Sequence, residues 1–387
     1  MRPSRFAACT ALAIALGACA GAQTTEPALA TPAEAEHADA RLGPMIEAAR
    51  AAEHIPALSV SVRQGDDLVY SEAFGRADLE NDVAATPETL FRIGSVSKIL
   101  TGTLAARLAD AGRIDLDRDI REYVDFPDKG APITLRQLLG HLAGIRHYLP
   151  KDHDFRQPGG DIDTRSYATT ADALAIFADD PLLSPPGTEY HYSTFSFTLA
   201  AAAMEAATGE SYVELLQAYV LAPADIHDIK VDDRFAIIPN RAEPYDLDER
   251  IGEEKAYAEG AIVNSLPLNS AYKIAGGGFV ATADALTTFG ALHYAPGFLS
   301  PEMFAATFTP QKNAAGEAVP AGLAWQCDLD ANGHRRCAHR GTQQGARTYL
   351  AVYPEDLLTI AVLSNLGSVP RDVESLTSKI AAEYFAD

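Results

Sequence analysis

Apolar and polar positions change rhythm several times along this chain, and each rhythm predicts an element. Val96, Ile99, Leu100, Thr103, Leu104 and Leu108 recur at the i, i+3, i+4, i+7 spacing of one helix face. A helix is therefore predicted behind the stretch Phe91-Arg92-Ile93-Gly94-Ser95-Val96-Ser97-Lys98, with Ala111-Gly112 as its stop. Residues 58–63 and 68–74 alternate with period two, and Gln64-Gly65-Asp66-Asp67 joins them, which predicts a hairpin. A short helix is expected before it, from about Pro44 to Glu53. Helical patterns follow Thr134, a suitable N-cap, and recur at 170–177, 196–208 and 211–220, with Gly209 between the last two. Strand patterns return at 322–327, 346–353 and 358–363, and a final helix is predicted over about 372–384. Strands at both ends of the chain, with a largely helical stretch over about 113–270, predict an α/β (α+β) body interrupted by an all-helical lobe.

Composition and charge narrow this picture. The chain has 387 residues, 47% of them hydrophobic and 22% charged, which suits a full globular core. A formal net charge of −22 argues against nucleic acid as a partner and against electrostatic docking on anionic lipid. Residues 1–18 read as a signal peptide: Arg2 and Arg5 are basic, and the apolar run 6–16 is too short to span a bilayer. Leu16-Gly17-Ala18-Cys19 resembles a bacterial lipobox. Cys19 is then the lipidated first residue, 19–40 a flexible tether, and 41–387 the folded domain. Ala20, which is not aspartate, favours the outer membrane and a periplasm-facing anchored lipoprotein. The alternative is a secreted soluble protein, with Ala18 or Ala20 before an ordinary cut.

Removal of the leader and lipidation leave Cys327 and Cys337. They flank a polar stretch containing Asn332-Gly333, a strong hairpin-turn signal. In an oxidising compartment they can close a disulfide across that hairpin; the other reading is two free thiols.

The chemistry centres on Ser95 and Lys98. Three residues apart at a helix start, they share one face. A neutral lysine can take the proton that makes a serine hydroxyl nucleophilic, and burial lowers a lysine pKa. Taken alone, Ser-x-x-Lys reads as an N-cap followed by a solvated lysine. Two further motifs follow in order: Tyr192-Ser193-Thr194 after the turn Pro185-Pro186-Gly187, and His339-Arg340-Gly341-Thr342 at the start of a strand-like segment. With Leu138-Leu139-Gly140-His141-Leu142-Ala143-Gly144 and the glycine-rich Ala275-Gly276-Gly277-Gly278-Phe279, the chain resembles the serine β-lactamase and penicillin-binding-protein-like hydrolases. Within them it is most similar to the branch of the mitochondrial serine β-lactamase-like protein.

The resemblance implies a β-lactamase/transpeptidase-like fold, an antiparallel sheet flanked by helices beside an all-helical lobe, with the site between them. It implies Ser95 as nucleophile, Lys98 as base and Tyr192 as proton relay, helped by His339. Thr194, Arg340, Gly341 and Thr342 become substrate-binding positions. The backbone N–H groups of Ser95 and Thr342 would hold the oxyanion, and Gly341 would admit the substrate backbone. Thr194 replaces the common asparagine, and His339 and Arg340 replace Lys-Thr. His339 is expected to be partly charged near neutral pH, while Arg340, on a strand, should point the other way.

Relatives with these motifs are associated more with peptide or ester cleavage than with β-lactams. The expected activity is an acyl-enzyme serine hydrolase acting on peptide amides or esters. The alternatives are a true β-lactamase or D,D-carboxypeptidase, and a non-catalytic binding or filament-forming scaffold. The expected partners are a small peptide, ester or β-lactam substrate and a membrane through the lipid anchor, with an oligomer left open. No cofactor and no metal are expected: His141, His147 and His153 lack the His-x-x-x-His spacing of a helical zinc site, and His141 is expected to pack beneath the site. The acidic run 246–254 reads as solvated surface.

Overall fold

The computed structural model describes residues 32–157, 159–247, 261–367 and 373–385, with side chains from residue 40 onward. The expected signal peptide, the expected lipidation site Cys19, the expected tether up to residue 31 and most of the acidic run 246–254 lie outside the described residues.

The strands, in chain order, are β1 (Ala57–Gln64), β2 (Asp67–Asp78), β3 (Val83–Ala84), β4 (Phe91–Arg92), β5 (Ile229–Val231), β6 (Tyr245–Leu247), β7 (Ile262–Asn264), β8 (Phe279–Ala281), β9 (Gln326–Leu329), β10 (Arg335–Gln343), β11 (Ala346–Tyr353) and β12 (Leu358–Ser364). The helices are α1 (Pro32–Ala52), α2 (Ser97–Asp110), α3 (Leu135–Leu139), α4 (Thr170–Leu174), α5 (Phe195–Thr208), α6 (Tyr212–Leu216), α7 (Ile274–Gly277), α8 (Ala283–Ala291), α9 (Pro301–Phe308) and α10 (Val373–Tyr384).

Seven strands form one sheet in the order β3-β2-β1-β12-β11-β10-β9, and their pairings are antiparallel. The alternation that predicted strands is here divided between two cores. Leu58, Val60 and Val62 of β1 and Ile360 and Val362 of β12 pack in one core with residues of α1 and α10. Ala361 and Leu363 of β12 and Leu350 and Val352 of β11 belong to the larger core, which holds α2, α5 and α8. The sheet is thus covered on both faces, as the fold expectation required.

Local chemistry sets the element ends. Thr134, Thr169 and Ser211 each close a capping box, satisfying N–H groups that a helix start leaves unpaired. Thr282 caps α8 by a single bond, its hydroxyl accepting the Ala285 N–H. The Asn332-Gly333 turn joins β9 to β10, with Gly333 at φ +87°.

Several boundaries differ from expectation. α1 begins at Pro32, where a missing N–H costs nothing at the first helical position, so residues 32–40 are helix rather than tether. The strand expected at 322–327 starts only at Gln326, because Ala324 takes a positive φ of 71° that no strand accommodates. The stretch 113–270 is not all helical: after α3–α6 it carries three short strands, β5–β7. Asp246, the first of the acidic run, is not solvated either. It is buried and accepts the Gly345 N–H at 3.2 Å, which ties β6 to the turn after β10.

Candidate active site

Ser95 is set by its neighbours. β4 pairs with β8 and leads into a single 3-10 turn, Gly94–Val96, that runs directly into α2. Gly94 has φ +48°, and a Cβ there would stand 2.9 Å from the Thr342 nitrogen. Only glycine lets the turn press so closely on β10. Ser95 is left half-buried at a cleft of about 460 Å³ between the sheet edge and the helical lobe.

Lys98 lies one helical turn further in and is fully buried. Its Nζ is 3.1 Å from Ser95 Oγ, 2.9 Å from Thr194 Oγ1 and 2.6 Å from the Gly276 carbonyl oxygen. Burial, with the Lys273 charge nearby, holds its pKa well below the ordinary lysine value. A neutral amine has two hydrogens and one lone pair. Two N–H bonds directed at Gly276 and Thr194 leave the lone pair for the Ser95 hydroxyl.

Tyr192 OH donates to Ser95 Oγ at 2.9 Å. Burial raises its pKa, so the phenol stays protonated. Its ring rests on His141, whose centroid is 4.5 Å away, and meets His147 edge-on at 5.5 Å. Both imidazoles accept backbone N–H groups through Nδ1: His141 from Ser193 at 3.1 Å and His147 from Thr194 at 3.2 Å. These bonds fix the loop that presents Tyr192. Desolvation keeps both rings neutral, with His147 lowered to about 4. His141 therefore packs beneath the site.

Four expectations for substrate-facing residues change. Thr194 is fully buried and does not line the cleft; its hydroxyl accepts from Lys98 and, at 3.1 Å, from Tyr148. It keeps the lysine-binding half of an asparagine's capacity. What approaches Gly341 is this chain's own Ile93 carbonyl, 2.0 Å from where a Cβ would stand. His339 lines the cleft but is not partly charged: burial takes its pKa to about 3, while Nδ1–H donates to the Arg340 carbonyl at 2.8 Å. Arg340 does not point away from the site. Glu374 of α10 draws its guanidinium over the cleft rim. Thr342 lines the cleft beside the Ser95 turn.

Sequence reasoning missed several participants. Gly276 sits in the triple glycine, a signal for close backbone approach; its Cβ would meet Thr194 Cγ2 at 2.6 Å. Tyr148 and His147 line the cleft, and Lys273 is a second buried lysine, lowered to about 8 by desolvation. The outer wall is built from β9 and β10, where Cys327 and Cys337 are directly paired and joined by a disulfide. Among the described residues, no group of three or more His, Cys, Asp or Glu could hold a metal ion.

Known proteins share this architecture. The chain is 28% identical to the mitochondrial serine beta-lactamase-like protein LACTB of Mus musculus, over 86% of this chain and 77% of that protein. It is 24% identical to penicillin-binding protein 4* of Bacillus subtilis, over 79% of this chain and 67% of that protein. A D-amino acid amidase of Ochrobactrum anthropi, solved with L-phenylalanine amide, shares the fold with a TM-score of 0.73 at 18% identity, over 90% of this chain and 98% of that one. The family described as Beta-lactamase matches residues 42–384, nearly the whole of the described fold, and the chain belongs to that family.

Proposed function

We propose that this protein is a serine hydrolase that cleaves peptide amides or small esters through an acyl-enzyme on Ser95. The observation that carries the reading is the placement of Ser95 Oγ between Lys98 Nζ at 3.1 Å and Tyr192 OH at 2.9 Å. Lys98 takes the Ser95 proton as Oγ attacks the carbonyl carbon. The oxyanion is met by the backbone N–H groups of Ser95 and Thr342. Tyr192 gives its proton to the leaving amine or alcohol as the C–N or C–O bond breaks, and the proton held on Lys98 restores the phenol. Water then releases the acid and frees Ser95. The neutral His339 supports substrates that need no imidazolium, and the cleft of about 460 Å³ suits a small acyl donor.

Replacing Ser95 with Ala should abolish ester hydrolysis and leave the melting temperature nearly unchanged, since the half-buried hydroxyl anchors no core. Hydrolysis at the wild-type rate would reject the mechanism. We also propose that acylated Cys19 holds the chain at the periplasmic face of a membrane, on the strength of the lipobox-like Leu16-Gly17-Ala18-Cys19. Metabolic labelling with an alkyne fatty acid should mark the protein and be lost in Cys19→Ser; equal labelling of both would reject the anchor.

A further inference from the structure

The cleft holds two arginines beyond the serine, and each is engaged. Arg336 is buried and stacks over Tyr349. It donates to both oxygens of Asp328, at 3.1 and 2.9 Å, and to Glu374 Oε1 at 3.2 Å. The other oxygen of Glu374 accepts from Arg340. Asp328, Arg336, Arg340 and Glu374 all line the same cleft as Ser95, so its outer part carries two positive and two negative charges.

From this we infer that Glu374 is a specificity-determining residue, which makes the cleft select substrates carrying no carboxylate where they pass Arg340. The inference rests on the hydrolase reading above. A substrate carboxylate can displace Glu374 from the exposed Arg340 at small cost, because exposed ion pairs are weak. It cannot displace Glu374 from the site, because the buried Arg336 holds the other carboxylate oxygen. The incoming anion therefore lies against a fixed like charge, a repulsive element of the kind that sets specificity. His339 beside it is buried, and desolvation keeps its imidazole neutral, so it supplies no compensating cation. The chain's net charge of −22 adds a field that disfavours anionic substrates.

The test uses two esters of N-benzoylglycine, one with glycolic acid and one with glycolamide, which differ only in a terminal carboxylate or amide. The wild type should favour the amide-capped ester in kcat/KM by about tenfold or more, given the cost of opposed like charges. Glu374→Gln should raise the carboxylate-to-amide ratio by about tenfold, and Glu374→Asp should leave it low. A wild-type ratio of one or more overturns the inference without any variant. So does a ratio that Glu374→Gln leaves unchanged. Turnover of neither ester also overturns it, and fluorophosphonate labelling then separates the layers: labelled Ser95 leaves the hydrolase reading standing, whereas unlabelled Ser95 removes both.

Discussion

A lysine serves as a base only while it is neutral, and the surroundings of Lys98 arrange this. Burial strips the ammonium of water, Lys273 adds a like charge, and Gly276 and Thr194 accept two N–H bonds. Because the folded pKa is lowered, the basic form is present above that pKa and lost as pH falls through it. Lys98→Arg tests this directly, since a guanidinium stays protonated. Its acylation rate by an ester should fall by roughly 10²-fold or more at neutral pH, the usual contribution of a general base. A rate within a factor of a few of wild type, read by stopped-flow, would contradict the role. At this scale the sequence was legible where spacing is local: Ser95 and Lys98 share a helix face. Gly276, His147 and Tyr148 come from distant segments, and no spacing rule joins them to Ser95.

Among the elements, β10 does most to shape the site. It packs on the serine turn through Gly341 and pairs with β9 across the Cys327–Cys337 disulfide. Gly341→Ala would force a Cβ into the Ile93 carbonyl and push the Ser95 turn outwards. Overpacking of this kind costs about 1–3 kcal/mol. Thermal unfolding should show that loss together with slower labelling of Ser95; an unchanged melting temperature and labelling rate would mean the contact is slack. Hairpins and capped helices were readable because their signals are local: Gln64-Gly65-Asp66-Asp67 between β1 and β2, Thr134 before α3, Asn332-Gly333 before β10. The late start of β9 was not, because Ala324 looks like a strand residue and its positive φ is imposed by the fold. Nor was the start of α1, whose Pro44 reads as a first-turn residue yet lies inside the helix.

At the scale of the molecule, the sheet separates two cores, and the larger one runs beneath the site. Four histidines in or near it are held neutral by desolvation. His147 and His293 fall from 6.5 to about 4, His339 falls to about 3, and His141 is lowered well below its ordinary value. Between the folded and unfolded values the unfolded chain binds more protons, so stability rises with pH through that window. Acidification from 6.5 towards 4 should therefore cost about 1.4 kcal/mol per pH unit for each of the deeply buried His293 and His339. Urea titrations over this range check the slope, and a flat profile would show that the rings are not desolvated in solution. The alternation along β1 and the strand patterns of β11 and β12 signalled strands, and the order of segments signalled the lobe, while cover on both faces of the sheet was implied by the family resemblance. The closure of the cleft rim by Glu374 was not legible, because it joins residues brought together only by the final helix.

The central claim is that Ser95 is armed by Lys98. Intact-mass analysis after fluorophosphonate treatment, on wild type and Ser95→Ala across a pH series, tests it most directly. Stoichiometric labelling of wild type is expected at neutral pH, slowing as acid protonates Lys98, with no labelling of Ser95→Ala. Absence of labelling at every pH, or equal labelling of the variant, would contradict it.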